Sequence, residues 1–150
     1  MAAATVAGSL FSDRSWPRRK VGSNHWVTTE TIATTSLDDA NDRVKFFPVE
    51  NGQRLVELVL THADLDSGAG ALDMDVVLSD ANGETILFNA GTAFNAARTT
   101  ALVIQLSDTT NPQGIRVVDN DGSAWVGLKV NTPASTPAQG TVTLTLKTFS

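Results

Sequence analysis

The chain has 150 residues, 41% of them hydrophobic, with no cysteine and a formal net charge of -5. Such a length suits one domain around one core, and the composition excludes wholesale disorder. The lack of cysteine excludes disulfides, thiolate metal sites and cysteine nucleophiles, and no window approaches the roughly 18 uninterrupted apolar residues of a membrane-spanning helix.

Residues 1–24 read as an extended N-terminal arm, with no sustained helical or strand period, and Pro17 biases Trp16 away from helical geometry. Met1 to Phe11 lacks the basic residues that precede the apolar region of a signal peptide and is expected to be unprocessed. Residues 1–20 hold Arg14, Arg18, Arg19 and Lys20 against Asp13 alone, so this part carries +3 and the remainder -8. Phosphate affinity rests on clustered Lys and Arg, so the acidic body argues against direct binding of nucleic acid. Phe11 and Trp16 are large apolar side chains in a segment without a core of its own. They either pack back on their own domain or dock on a neighbouring subunit.

Residues 25–150 form the folded domain, and its dominant signal is alternation of period two. Strands are predicted near His25–Thr31, Arg43–Val49 and Arg54–Leu60, with Asn51-Gly52 as a tight turn between the last two. In Leu72–Leu78, one face carries Leu72, Met74, Val76 and Leu78, and Asp73 and Asp75 take the other as a solvated face. Asn82-Gly83 turns the chain into a strand at Thr85–Phe88. Gly91–Thr99 alone has helical composition and is too short for more than one or two turns. Further strands fall at Thr100–Leu106, Ile115–Val118, Trp125–Val130 and Thr141–Lys147, the last with Val142, Leu144 and Leu146 inward between threonines. About nine strands exceed what one small open sheet holds comfortably. The expected fold is all-β, an antiparallel β-sandwich of jelly-roll type with an N-terminal arm.

The sequence offers little for catalysis. The two histidines, His25 and His62, have no nucleophile motif beside them, and no phosphate-cradling glycine loop or zinc spacing is present. No catalytic residue is assigned, and a non-enzymatic protein is expected. Carboxylates spaced by two occur at Asp64 and Asp66, and at Asp119 and Asp121. In a loop this spacing can converge on a cation, so these four are the calcium candidates; the commoner alternative is an Asx turn, and no other cofactor is indicated. The same pairing raises a carboxylate-pair hydrolase at Asp64 and Asp66 as a third, weaker reading. Trp125 beside the Asp119–Asp121 turn suggests a carbohydrate-binding module, against the commoner fate of a packed tryptophan.

The run Asp64-Leu65-Asp66-Ser67-Gly68-Ala69, then Leu72 to Asp80 and Gly91-Thr92-Ala93-Phe94, resembles small structural proteins of tailed bacteriophage virions, from Phe46 onward. The resemblance implies a capsid decoration or cement protein on the outer surface of the head. Its partner would be the major capsid protein lattice, and it would act as a homo-oligomer, a trimer being the first expectation. The arm fits that role, with Phe11 and Trp16 as apolar anchors and Arg14, Arg18, Arg19 and Lys20 pairing with carboxylates on the shell.

Overall fold

The computed structural model describes residues 4–8 and 23–149. Among them run ten strands: β1 (Thr5–Ala7), β2 (Ser23–Ala33), β3 (Arg43–Pro48), β4 (Arg54–His62), β5 (Asp73–Asp80), β6 (Gly83–Gly91), β7 (Arg98–Gln105), β8 (Ile115–Arg116), β9 (Trp125–Thr132) and β10 (Gln139–Phe149). One sheet has the order β1-β3-β9-β5-β6 and the other β2-β10-β4-β7, with β8 alongside β4. Antiparallel pairs nest inside one another: β2 with β10, β3 with β9, β4 with β7, and β5 with β6. This is the jelly-roll arrangement, as if one long hairpin had been wrapped into two layers.

The period-two pattern decides which residues fill the space between the layers. Met74, Val76 and Leu78 from β5 and Val126, Leu128 and Val130 from β9 meet Leu58, Leu60, Val142, Leu144 and Leu146 from the opposite sheet, all at 0–1% exposure. Each such side chain contributes about 1.5–3 kcal/mol through burial. Phe46 and Phe47 are consecutive yet both buried, because the β3–β9 register shifts between Lys45 and Phe47. A bulge there re-aims one side chain out of the alternation. Gly127 stands opposite this shift, and a Cβ on it would lie 2.0 Å from the carbonyl oxygen of Val44, so only glycine admits the approach.

Two expectations change and one holds. The segment at Thr5–Ala7 is a strand, pairing in parallel with Arg43–Lys45. Hydrogen bonds close both of its ends, from Ala4 N to Asp42 Oδ1 at 2.6 Å and from Gly8 N to Lys45 O at 2.6 Å. Three residues are too few for a period to show in sequence, which is why it read as arm. The helical stretch is a single 3-10 turn, Ala93–Asn95, that drives Phe94 into the core. Asp73 and Asp75 do not form a solvated face: Asp75 is 3% exposed, and Asn131 Nδ2 donates to both carboxylates, at 3.0 Å and 2.9 Å. The two acids flank an amide on the neighbouring strand, Asp75 buried and Asp73 half-buried.

Candidate functional site

One rim of the sandwich is organised by a single carboxylate. The loop after β4 is built of small residues and turns where Asp64 Oδ1 accepts from Asp66 N at 3.0 Å. This turn carries the Asp66 side chain inward to 1% exposure. There it accepts from the backbone N–H of Ala71 (2.8 Å), Leu72 (3.1 Å), Ser135 (2.9 Å) and Thr136 (2.8 Å), and from the Ser135 hydroxyl. Burial alone would raise its pKa, but the N–H groups of Thr136, Ser135, Ala71 and Leu72 outweigh burial and hold the carboxyl well below the usual range. Gly68 permits the two loops to touch, since a Cβ there would lie 2.1 Å from Thr136 Oγ1. The Asp66 oxygens are therefore saturated by donors, and a cation would have to displace them. A general acid must carry a proton and a nucleophile must present a free lone pair to substrate, and this buried, donor-saturated carboxylate does neither.

Asp119 and Asp121 occupy the other rim. Asp119 N donates to Asn51 Oδ1 just before β4 begins, whereas Asp66 follows the end of β4, so the length of that strand separates the two acidic pairs. Asp119 Oδ1 accepts from Gly122 N at 3.1 Å and Ser123 N at 3.2 Å, with Gly122 at φ 77°. The hydroxyl and backbone N–H of Ser123 lower the pKa of Asp121. This is an Asx turn in form. Among the described residues, no three His, Cys, Asp or Glu side chains gather as a metal site.

The remaining candidates are packed rather than presented. Trp125 is 5% exposed with the Lys45 ammonium 5.7 Å from its ring centroid, so it offers no face for a sugar, and the carbohydrate expectation fails at this residue. His62 is 5% exposed, with its ring 4.3 Å from that of Phe94 and Nδ1 donating to Ala63 O at 2.9 Å. Desolvation by burial lowers its pKa, opposed by that carbonyl and by Asp64 and assisted by Arg98.

Phe11, Arg14, Trp16, Arg18, Arg19 and Lys20 lie outside the described residues. What the structure fixes is their two flanks: Gly8 is held against Lys45 in one sheet, and Ser23 opens β2 in the other. The basic and aromatic residues thus sit on a connection tied at both ends to the same domain, not on a free end. Sequence reasoning missed a second surface, the outer face of the β2-β10-β4-β7 sheet. Its signal was present in the threonines that alternate with leucines through β10.

No protein-family model matches the chain, and no curated protein matches it. Solved structures do. A chain in the capsid of Ralstonia phage GP4 superposes with a TM-score of 0.69 at 21% identity, covering 98% of this chain and 98% of that one. A chain in the capsid asymmetric unit of cyanophage Pam1 gives 0.57 at 21% identity, with 90% and 91% covered. At this identity the likeness establishes a shared fold from end to end.

Proposed function

We propose that this chain is a structural protein of a phage virion, a decoration or cement protein that binds the major capsid protein lattice on the outer surface and stabilises the head. The observation that carries the reading is the end-to-end match of the jelly roll to a chain in a phage capsid, with 98% of both chains covered. Its local chemistry agrees. The acids that might have served catalysis or a cation instead fasten loops, which makes a stiff body with hydrogen-bonded rims.

Residues 9–22 supply the contact with the shell. Phe11 and Trp16 bury against the lattice, and Arg14, Arg18, Arg19 and Lys20 pair with its carboxylates. A connection closed at both ends loses less freedom on binding than a free tail, which favours tight holding.

Co-sedimentation of the full chain with shells of its major capsid protein tests this reading. Wild type pellets with shells and raises their melting temperature, whereas Phe11→Ala with Trp16→Ala, or Arg18→Glu with Arg19→Glu, stays in the supernatant. Wild type that never pellets with any shell state would overturn it.

A further inference from the structure

The two outer faces of the sandwich differ in kind. On the sheet containing β3, β9, β5 and β6, ionisable side chains stand within the face itself, and its cations are engaged within the chain. Arg43 Nε donates to Glu84 at 2.5 Å, Lys129 lies 3.6 Å from the same carboxylate, and Lys45 covers Trp125. On the other sheet, the register sets Val103, Val59, Thr145 and Val27 in one row across all four strands. The next row holds Thr61, Thr143 and Thr29, with the Thr29 and Thr143 hydroxyls 2.7 Å apart. Thr141 and Thr31 follow in the next. Among the described residues, ionisable side chains enter only at the borders of this face, where Glu57 pairs across from Lys147 at one end and Arg98 stands at the other.

Val27 is 62% exposed and Val103 52%, at the two edges of the row, with Val59 and Thr145 half-buried between them, so among the described residues nothing covers this uncharged row. Surface threonines and valines scattered singly need no explanation, but a continuous uncharged band across a whole sheet does.

From this contrast we infer that the outer face of the β2-β10-β4-β7 sheet is where one copy of the chain docks on another. Charge decides the occupant. Each copy carries a net -5, and contact through charged surfaces would set like charges together, whereas an uncharged band brings two acidic bodies into contact with the least repulsion. A basic or acidic partner would gain nothing from such a face, since no opposite charge meets it. Area sets the scale of the contact. Four strands spaced about 4.8 Å apart, each contributing about five residues, give a footprint roughly 15 Å by 17 Å. That is smaller than the ~800 Å² per partner of a standard interface. Phe149, 52% exposed at the end of β10 on the same side, lies beside an apolar depression of about 420 Å³ that includes Val56 and Pro112, and extends the footprint. The inference gives a surface to the homo-oligomer expected from sequence and stands separately from the capsid contact.

Light scattering on the full chain across a dilution series tests it. Wild type is expected as a multiple of its 15.8 kDa mass, dissociating on dilution. Val59→Glu and Thr145→Glu are expected to weaken association about tenfold or more, while Thr85→Glu, exposed on β6 of the other sheet, leaves it unchanged. Circular dichroism checks that each variant is folded; Thr29→Glu, at an exposed position on the edge strand, replaces any that is not. Wild type that stays monomeric throughout, or oligomers that survive all of these charges, overturn the inference. A monomer that still pellets with shells would overturn it while leaving the capsid reading intact.

Discussion

Asp66 and Ser135 stand 69 residues apart in sequence and meet at one rim of the sandwich. The Ser135 backbone N–H donates to Asp66 Oδ2 at 2.9 Å and its hydroxyl donates to Oδ1 at 3.1 Å. Through this contact the loop after β4 and the loop before β10 act as one structure.

Asp66→Asn replaces one carboxylate oxygen with an NH2 group, which then faces either the Oδ2 donors (the N–H groups of Ala71, Leu72 and Ser135) or the Oδ1 donors (the Thr136 N–H and the Ser135 hydroxyl). Buried donors are then left unpaired. The melting temperature is expected to fall by roughly 5–10 °C, read by thermal circular dichroism. The same contact sets an acid limit. The folded pKa lies below the unfolded value of about 3.9, so the stabilisation is complete above that pH and is lost as pH falls through the folded value. Wild type should therefore lose stability below about pH 4, and Asp66→Asn should show a shallower acid slope.

His62 adds a dependence at milder pH. Its pKa is lowered in the folded state, so the fold favours the neutral ring. The contribution is present above the unfolded value of about 6.5 and is lost as pH drops through the folded value. Urea midpoints measured from pH 8 to pH 5 are expected to fall in wild type. His62→Leu, which keeps an apolar contact with Phe94, should flatten that fall.

Gly127→Ala is expected to be among the most damaging single changes in the domain. The added methyl would strike the Val44 carbonyl oxygen at 2.0 Å and the Trp125 ring at 3.0 Å, and backbone cannot swing aside as a side chain can. A loss of about 3 kcal/mol or more is expected from urea unfolding.

Glu84→Gln makes a contrast. The carboxylate pairs with Arg43 and Lys129, yet all three side chains keep about a quarter of their exposure. Partly solvated pairs contribute about 1 kcal/mol or less, so the urea midpoint should barely move and should move less in high salt.

The layered fold was legible because alternation in Leu72–Leu78 and Thr141–Lys147 states directly which side chains face the core, and the Asn82-Gly83 turn sets the pairing of β5 with β6. What hid from sequence was long-range or local in ways that period two does not encode. Asp66 read as a cation ligand because its true partners lie near residue 135, beyond any spacing rule. Asp75 read as solvated because the amide of Asn131 comes from another strand. Trp125 read as a possible sugar platform because alternation places it on an outer face, and only the structure shows it buried under Lys45. The Thr5–Ala7 strand is too short for any period to register and exists because Asp42 and Lys45 capture its ends.

Electron cryomicroscopy of the intact particle that carries this chain tests the central claim most directly. The account predicts jelly-roll density matching residues 23–149 on the outside of the capsid shell, seated on the major capsid protein, with the connection between Gly8 and Ser23 turned toward the lattice. Density for the chain confined to the tail or its fibres would contradict it.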